Sequence, residues 1–213
     1  MSIHPIHFGD EGTAATRVLA ERFAPLVDPA LAAQLRTLES IDRAHGGTGV
    51  LPLADADLLA GSAIEAAARE DHDDLVIGIA LWAVRHELTP RAVEPVVNAL
   101  ARRSNAARGR EELSAVFGLM QGYIAHLSPT LSADLERSNP ERPWRVLHVN
   151  LAVTAIRSEE PALMEFAFDA FDGALPDERA GFYAEATALA LAPRVAPAVR
   201  EALEARHRRW SQG

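Results

Sequence analysis

The chain has 213 residues, of which 48% are apolar and 24% charged. That is enough to bury a substantial core as one domain or two very small ones, far from the composition of a disordered chain. The absence of cysteine excludes disulfides, thiolate zinc sites, iron–sulfur clusters and cysteine nucleophiles, and the net charge of −9 argues against nucleic acid as a partner, since phosphate binding draws on excess positive charge.

All 21 basic residues are arginine. A GC-rich genome supplies arginine and alanine together, and arginine's bidentate geometry gives no reason for lysine to be missing from an ordinary surface. The opening Met1-Ser2-Ile3-His4-Pro5-Ile6-His7-Phe8 lacks the basic and apolar regions of a secretory signal. The longest near-continuous apolar run, Leu75 to Val84, is about half the ~20 residues a membrane span needs. A cytoplasmic chain with no membrane partner is expected.

Residues 1–12 read as a flexible arm and 13–213 as a single all-helical domain. Helices are predicted near 13–27, 29–45, 55–70, 73–88, 90–104, 110–127, 129–138, 142–157, 160–173, 177–191 and 195–209. Leu31, Leu35, Leu38 and Ile41, then Val93, Val96, Val97 and Leu100, recur at the spacing of one helical stripe. Asp28-Pro29, Thr89-Pro90 and Ser128-Pro129 each set a capping residue before a proline, which the first turn tolerates because its missing N–H has no partner there. Alternating strand patterns and hairpin turns are lacking.

A strongly apolar helix ends shortly before a proline four times, at Pro90, Pro129, Pro161 and Pro193, and an amphipathic helix follows each time. The intervals suit helical-hairpin repeats. Over residues 73–210 this pattern resembles a short α-solenoid of the HEAT type, which implies consecutive antiparallel helical hairpins and says nothing of a ligand. A compact irregular helical bundle is the alternative architecture. A helix apolar on most sides should be covered on most sides, so the first helix of each pair is expected in an inner layer. Gly78, Gly118, Gly122 and Gly181 would mark close helix contacts.

Few residues point to chemistry. His72-Asp73, with His45 and Asp134, is similar in type to the metal-holding set of the helical HD phosphohydrolases, but the dipeptide opens a polar helix start instead of closing an apolar helix. His4 with His7, and Asp42 with His45, offer two ligands each, fewer than a structural zinc site needs. Gly46-Gly47-Thr48-Gly49 follows a helix, has no Gly-Lys-Ser/Thr end and reads as a helix stop; a serine-nucleophile elbow is lacking too. No cofactor and no metal is expected. Arg102, Arg103, Arg108 and Arg110 surround one interhelical turn, and Arg206-His207-Arg208-Arg209-Trp210 lies near the end. Either cluster could contact phosphate, with Trp210 stacking on a base.

Aligning the repeats on their prolines yields the strongest candidate site. Positions eleven, eight and four before each proline share a helix face and read Ile79, Trp82, His86; Gly118, Gln121, Ala125; Asn150, Val153, Arg157; and Phe182, Glu185, Leu189. Trp82, His86, Gln121, Asn150, Arg157 and Glu185 form a polar ladder on otherwise apolar helices. Such a ladder either bonds internally or lines the concave groove that solenoids use for binding. The expected function is a non-enzymatic adaptor that binds a peptide or protein. A helical metal phosphohydrolase and a helical-repeat nucleic-acid binder are the alternatives. Leu175, Phe182 and the group Phe166, Phe168 and Phe171 leave room for a homodimer.

Overall fold

A computed structural model describes residues 12–46, 55–89, 91–131, 139–192 and 195–211. Among them the chain forms α1 (Gly12–Phe23), α2 (Pro29–Ala44), α3 (Ala56–Arg69), α4 (Asp73–Arg85), α5 (Val93–Ala106), α6 (Arg110–Leu131), α7 (Pro143–Ser158), α8 (Pro161–Ala174), α9 (Arg179–Leu189) and α10 (Pro197–Trp210). A single 3-10 turn, Pro176–Glu178, leads into α9. The described residues contain no strand; the fold is all-α. His4, His7 and Asp134 lie outside the described residues.

Local chemistry sets the helix starts. Asp28 caps α2, its Oδ1 accepting from the N–H groups of Ala30 and Leu31 at 2.7 and 3.0 Å, and these bonds hold its carboxyl below the usual range. Proline occupies the first turn of α2, α7, α8 and α10, where its lack of an N–H costs nothing. Three turns place an acidic residue at φ 56, at Asp71, Glu87 and Glu159. This left-handed conformation closes a helix but favours glycine.

Pro129 starts no helix, contrary to the proline pattern. The helix α6 continues to Leu131, so Pro129 falls in its last turn, where its missing N–H forgoes one i→i−4 bond. The rest of the helix predicted at 129–138, like Pro90 and Pro193, lies outside the described residues.

Two compact units are formed, residues 1–106 with 118–133, and residues 107–117 with 134–213. In the first, α4 packs on α3, α5 and α1, while α1 packs on α2 and α2 on α3. Every residue of α4 from Leu75 to Ala83 is buried, as an all-round apolar helix requires. Leu19 of α1 lies so close to Gly78 that an added Cβ would sit 2.6 Å from its Cδ2. In the second unit α7 packs on α8, α9 on α10, and α8 also meets α10. Here the inner-layer expectation fails for α9: although rich in alanine, it buries only Tyr183. No helix among the described residues is long and apolar enough to cross a membrane.

The glycines divide accordingly. A Cβ at Gly118 or Gly181 meets nothing within 4 Å, so close contact explains Gly78 alone of the three. Gly118→Ala should stabilise the protein by up to about 1 kcal/mol by removing backbone entropy from a helix interior, whereas Gly78→Ala should destabilise it by about 1–3 kcal/mol as Leu19 is displaced. Urea denaturation of the two variants, read by circular dichroism, checks the opposite signs.

Candidate binding groove

The incomplete cover of α9 has a structural counterpart. A groove of about 620 Å³ runs between α7 and α9 and is closed below by Leu203 of α10. From α7 it receives Arg145, Val149, Val153, Ile156 and Arg157; from α9 it receives Gly181, Phe182, Glu185, Ala186 and Leu189. Its volume lies within the range of small-molecule and cofactor sites. Leu189 on its wall and Leu191 two residues further along the chain stay largely in water, at 70% and 69% exposure.

Both walls are fixed by carboxylates. Glu178, in the 3-10 turn before α9, accepts from Arg142 Nη2 at 3.1 Å and from Arg145 Nε at 2.5 Å, which ties the start of α7 to the start of α9. Arg142 and Arg145 also donate to the carbonyls of Asn139 and Pro140, both at 3.0 Å. Asp172 of α8 is the second clasp. It accepts from Tyr183 Oη at 2.9 Å, Arg206 Nη1 at 2.6 Å and Trp210 Nε1 at 3.0 Å, and Arg179 donates to its backbone carbonyl. The guanidiniums of Arg179 and Arg209 lie over the Trp210 ring, 4.4 and 4.7 Å from its centre.

The proline-aligned face has different fates along the chain. In the last two repeats it faces the groove: Val153, Arg157, Phe182, Glu185 and Leu189 all line it. Asn150 does not, and its amide donates to Val146 O one turn back at 2.8 Å. Arg157 is exposed and donates to Ala107 O at 3.3 Å. Glu185 is exposed and makes no hydrogen bond or ion pair among the described residues. Gln121 is exposed on α6.

Trp82 and His86, by contrast, are wholly buried. Trp82 Nε1 donates to Asp42 Oδ1 at 3.1 Å, and His86 Nε2 lies 2.9 Å from the same oxygen. With the hydrogen on Nε2, both rings donate to this one oxygen. Asp42 Oδ2 is buried without a partner. These three residues join α2 to α4 inside the first unit and offer no surface to a ligand.

The other candidates are engaged locally. Arg102 grips Asp73 through Nε and Nη2 at 2.6 to 3.0 Å, a bond that raises its pKa further, and Arg103 lies 3.8 Å from Asp74. Arg110 pairs with Glu159 at 2.8 Å, and the backbone N–H of Arg108 donates to Glu112 at 2.9 Å. His45 bonds the Ile41 carbonyl at 2.9 Å while its neighbour Asp42 turns to Trp82. His72 meets the Phe23 ring edge to face at 6.0 Å. Among the described residues no three His, Asp or Glu side chains converge as metal ligands. Leu175, Phe168 and Phe171 are buried within the chain, and Phe166 is 44% exposed.

Comparison of the chain with family models, with characterised proteins and with solved structures finds no match.

Removing the Asp42 acceptor strands two buried donors. Asp42→Ala should cost about 3 kcal/mol, and Asp42→Asn less than half of that, because its amide oxygen still accepts from both rings; urea denaturation checks the order. A pH effect comes from the only two tyrosines. Burial pushes Tyr123 well above its ordinary value, and burial followed by the Asp172 charge does the same to Tyr183. A raised folded pKa contributes stability that is fully present below the unfolded value near 10 and is lost as pH climbs toward the folded value. Tyrosinate absorbance should therefore stay absent through pH 10, then appear together with alkaline unfolding, whereas urea-unfolded protein titrates at the ordinary value.

Proposed function

We propose that the chain is a non-enzymatic adaptor, built as a HEAT-like stack of helical hairpins, that takes an apolar segment of a peptide or protein partner into the groove between α7 and α9. One observation carries the reading: α9 is apolar yet buries a single residue, and its uncovered side lines a groove between walls held by Glu178 and Asp172. A helix of that kind in isolation would be expected to seek cover. Here cover is withheld, and the fixed walls lower the entropic cost of ordering a site on binding.

The phosphate-binding reading of the arginine turn has less support. Arg102, Arg103 and Arg110 already lie beside acidic partners, so a phosphate would have to displace carboxylates. The histidine and aspartate candidates for phosphohydrolase chemistry point to separate neighbours.

Selection of a displayed random-peptide library on the full chain tests the proposal. Enriched peptides should bind the wild type, compete with one another, and lose binding to Gly181→Trp. That variant fills the groove from a position where an added Cβ meets nothing, so its thermal melt should match the wild type. Failure to enrich any peptide whose binding depends on position 181 would overturn the proposal.

A further inference from the structure

We infer that the partner segment is a basic amphipathic helix, which lays an apolar stripe in the groove and sets a cationic side chain against Glu185. The inference rests on the groove reading above and adds the shape and charge of its occupant.

Shape follows from the dimensions. Arg145 and Arg157 are twelve residues apart on α7, about 18 Å at the helical rise. A cylinder of that length and of helix diameter would fill well over roughly 1,000 Å³, against about 620 Å³ in the groove. A helix with its side chains measures about 10–12 Å, so its backbone cannot enter but a row of its side chains can. Three or four anchors at i, i+4, i+7 and i+11 would fill the length, the usual helix-in-groove spacing. The rim supports an occupant wider than the groove. Leu189 lines it and is still 70% exposed, so an occupant flush with the walls would leave much of that side chain in water.

Charge follows from what remains unpaired. Arg145 is paired with Glu178, Arg157 donates to Ala107 O, and Asp177 is engaged by a neighbour of its own. Glu185 stands among Phe182, Ala186 and Leu189 on the groove wall with no bond among the described residues. An apolar ligand bringing no cation would partly desolvate that carboxylate without compensation. An acidic helix would add repulsion, from Glu185 and from a chain of net charge −9.

The test uses two labelled fifteen-residue designed helices with leucine at the same four anchor positions, one flanked by lysine and the other by glutamate. Fluorescence anisotropy with the full chain should show the lysine helix binding at least tenfold tighter at low salt. Glu185→Gln should narrow that preference by about threefold, the scale of one partly exposed ion pair. Glu65→Gln, an exposed carboxylate on α3, should leave it unchanged and so separates a local effect from net charge. Leu189→Gln should weaken both helices, and Gly181→Trp should abolish binding.

Equal affinities, a preference untouched by Glu185→Gln, or binding of neither helix would each overturn the inference. If Gly181→Trp still blocks whatever binds, the groove reading survives that failure. Binding indifferent to Gly181→Trp and Leu189→Gln would remove both. Sedimentation showing a dimer that Gly181→Trp dissociates would make the occupant a second copy of the chain, and the basic helix would again be overturned.

Discussion

A carboxylate withdrawn from water must be met by donors, and the second unit is organised around two that are. Asp172 gathers a phenol, a guanidinium and an indole from α9 and α10, while its own carbonyl receives Arg179. Breaking such a cluster at one member strands the others in a low-dielectric setting, which is why buried polar networks fix geometry more firmly than apolar packing does. Glu178 acts likewise between the start of α7 and the turn before α9. With α9 held at its start by one carboxylate and along its back by another, the helix cannot collapse onto α7. The groove persists because polar bonds keep apolar walls apart.

The contrast between α4 and α9 makes the point from the other side. Both are apolar around most of their circumference. In α4 the cover is complete, supplied by α1, α3 and α5, and even the polar members Trp82 and His86 are absorbed by Asp42. In α9 the cover comes from α10, the 3-10 turn and the α8 side chains that meet Phe182 and Tyr183, and the groove side is left open. Leucine at Leu189 remains 70% exposed, at about 25 cal/mol for each Å² of apolar surface left in water. Free energy of that size is not recovered within the unit, and it is available to whatever covers the helix next.

Much of this was legible in the sequence. Prolines after capping or acidic residues marked real helix starts at Pro29 and Pro161, and the all-round apolar run at 75–83 is fully buried. Aligning the prolines placed Val153, Arg157, Phe182, Glu185 and Leu189 on one face, and all five line the groove. The same alignment could not distinguish them from Trp82 and His86, because periodicity tells which residues share a face and not what stands opposite. What stands opposite Trp82 is Asp42, forty positions away on α2, a pairing no local spacing encodes. Pro129 misled for a similar reason: a proline in the last turn of one helix and one in the first turn of the next have the same local sequence, and only the course of the chain separates them.

Arginine content also had to be read through its partners. A chain in which every basic residue is arginine invites a phosphate interpretation, since the guanidinium suits phosphate and carboxylate alike. In the fold the choice falls to carboxylates. Arg102 is held by Asp73 through two nitrogens, Arg110 by Glu159, and Arg206 by Asp169 and Asp172 together. Trp210, the candidate for base stacking, already has two guanidiniums over its ring and its N–H committed to Asp172. Pairing of this kind uses up the cations that sit at helix ends and leaves the acidic surplus to define the remaining surface. On the groove wall Glu185 is the carboxylate that makes no bond among the described residues, so anything covering the apolar walls would meet an uncompensated negative charge there.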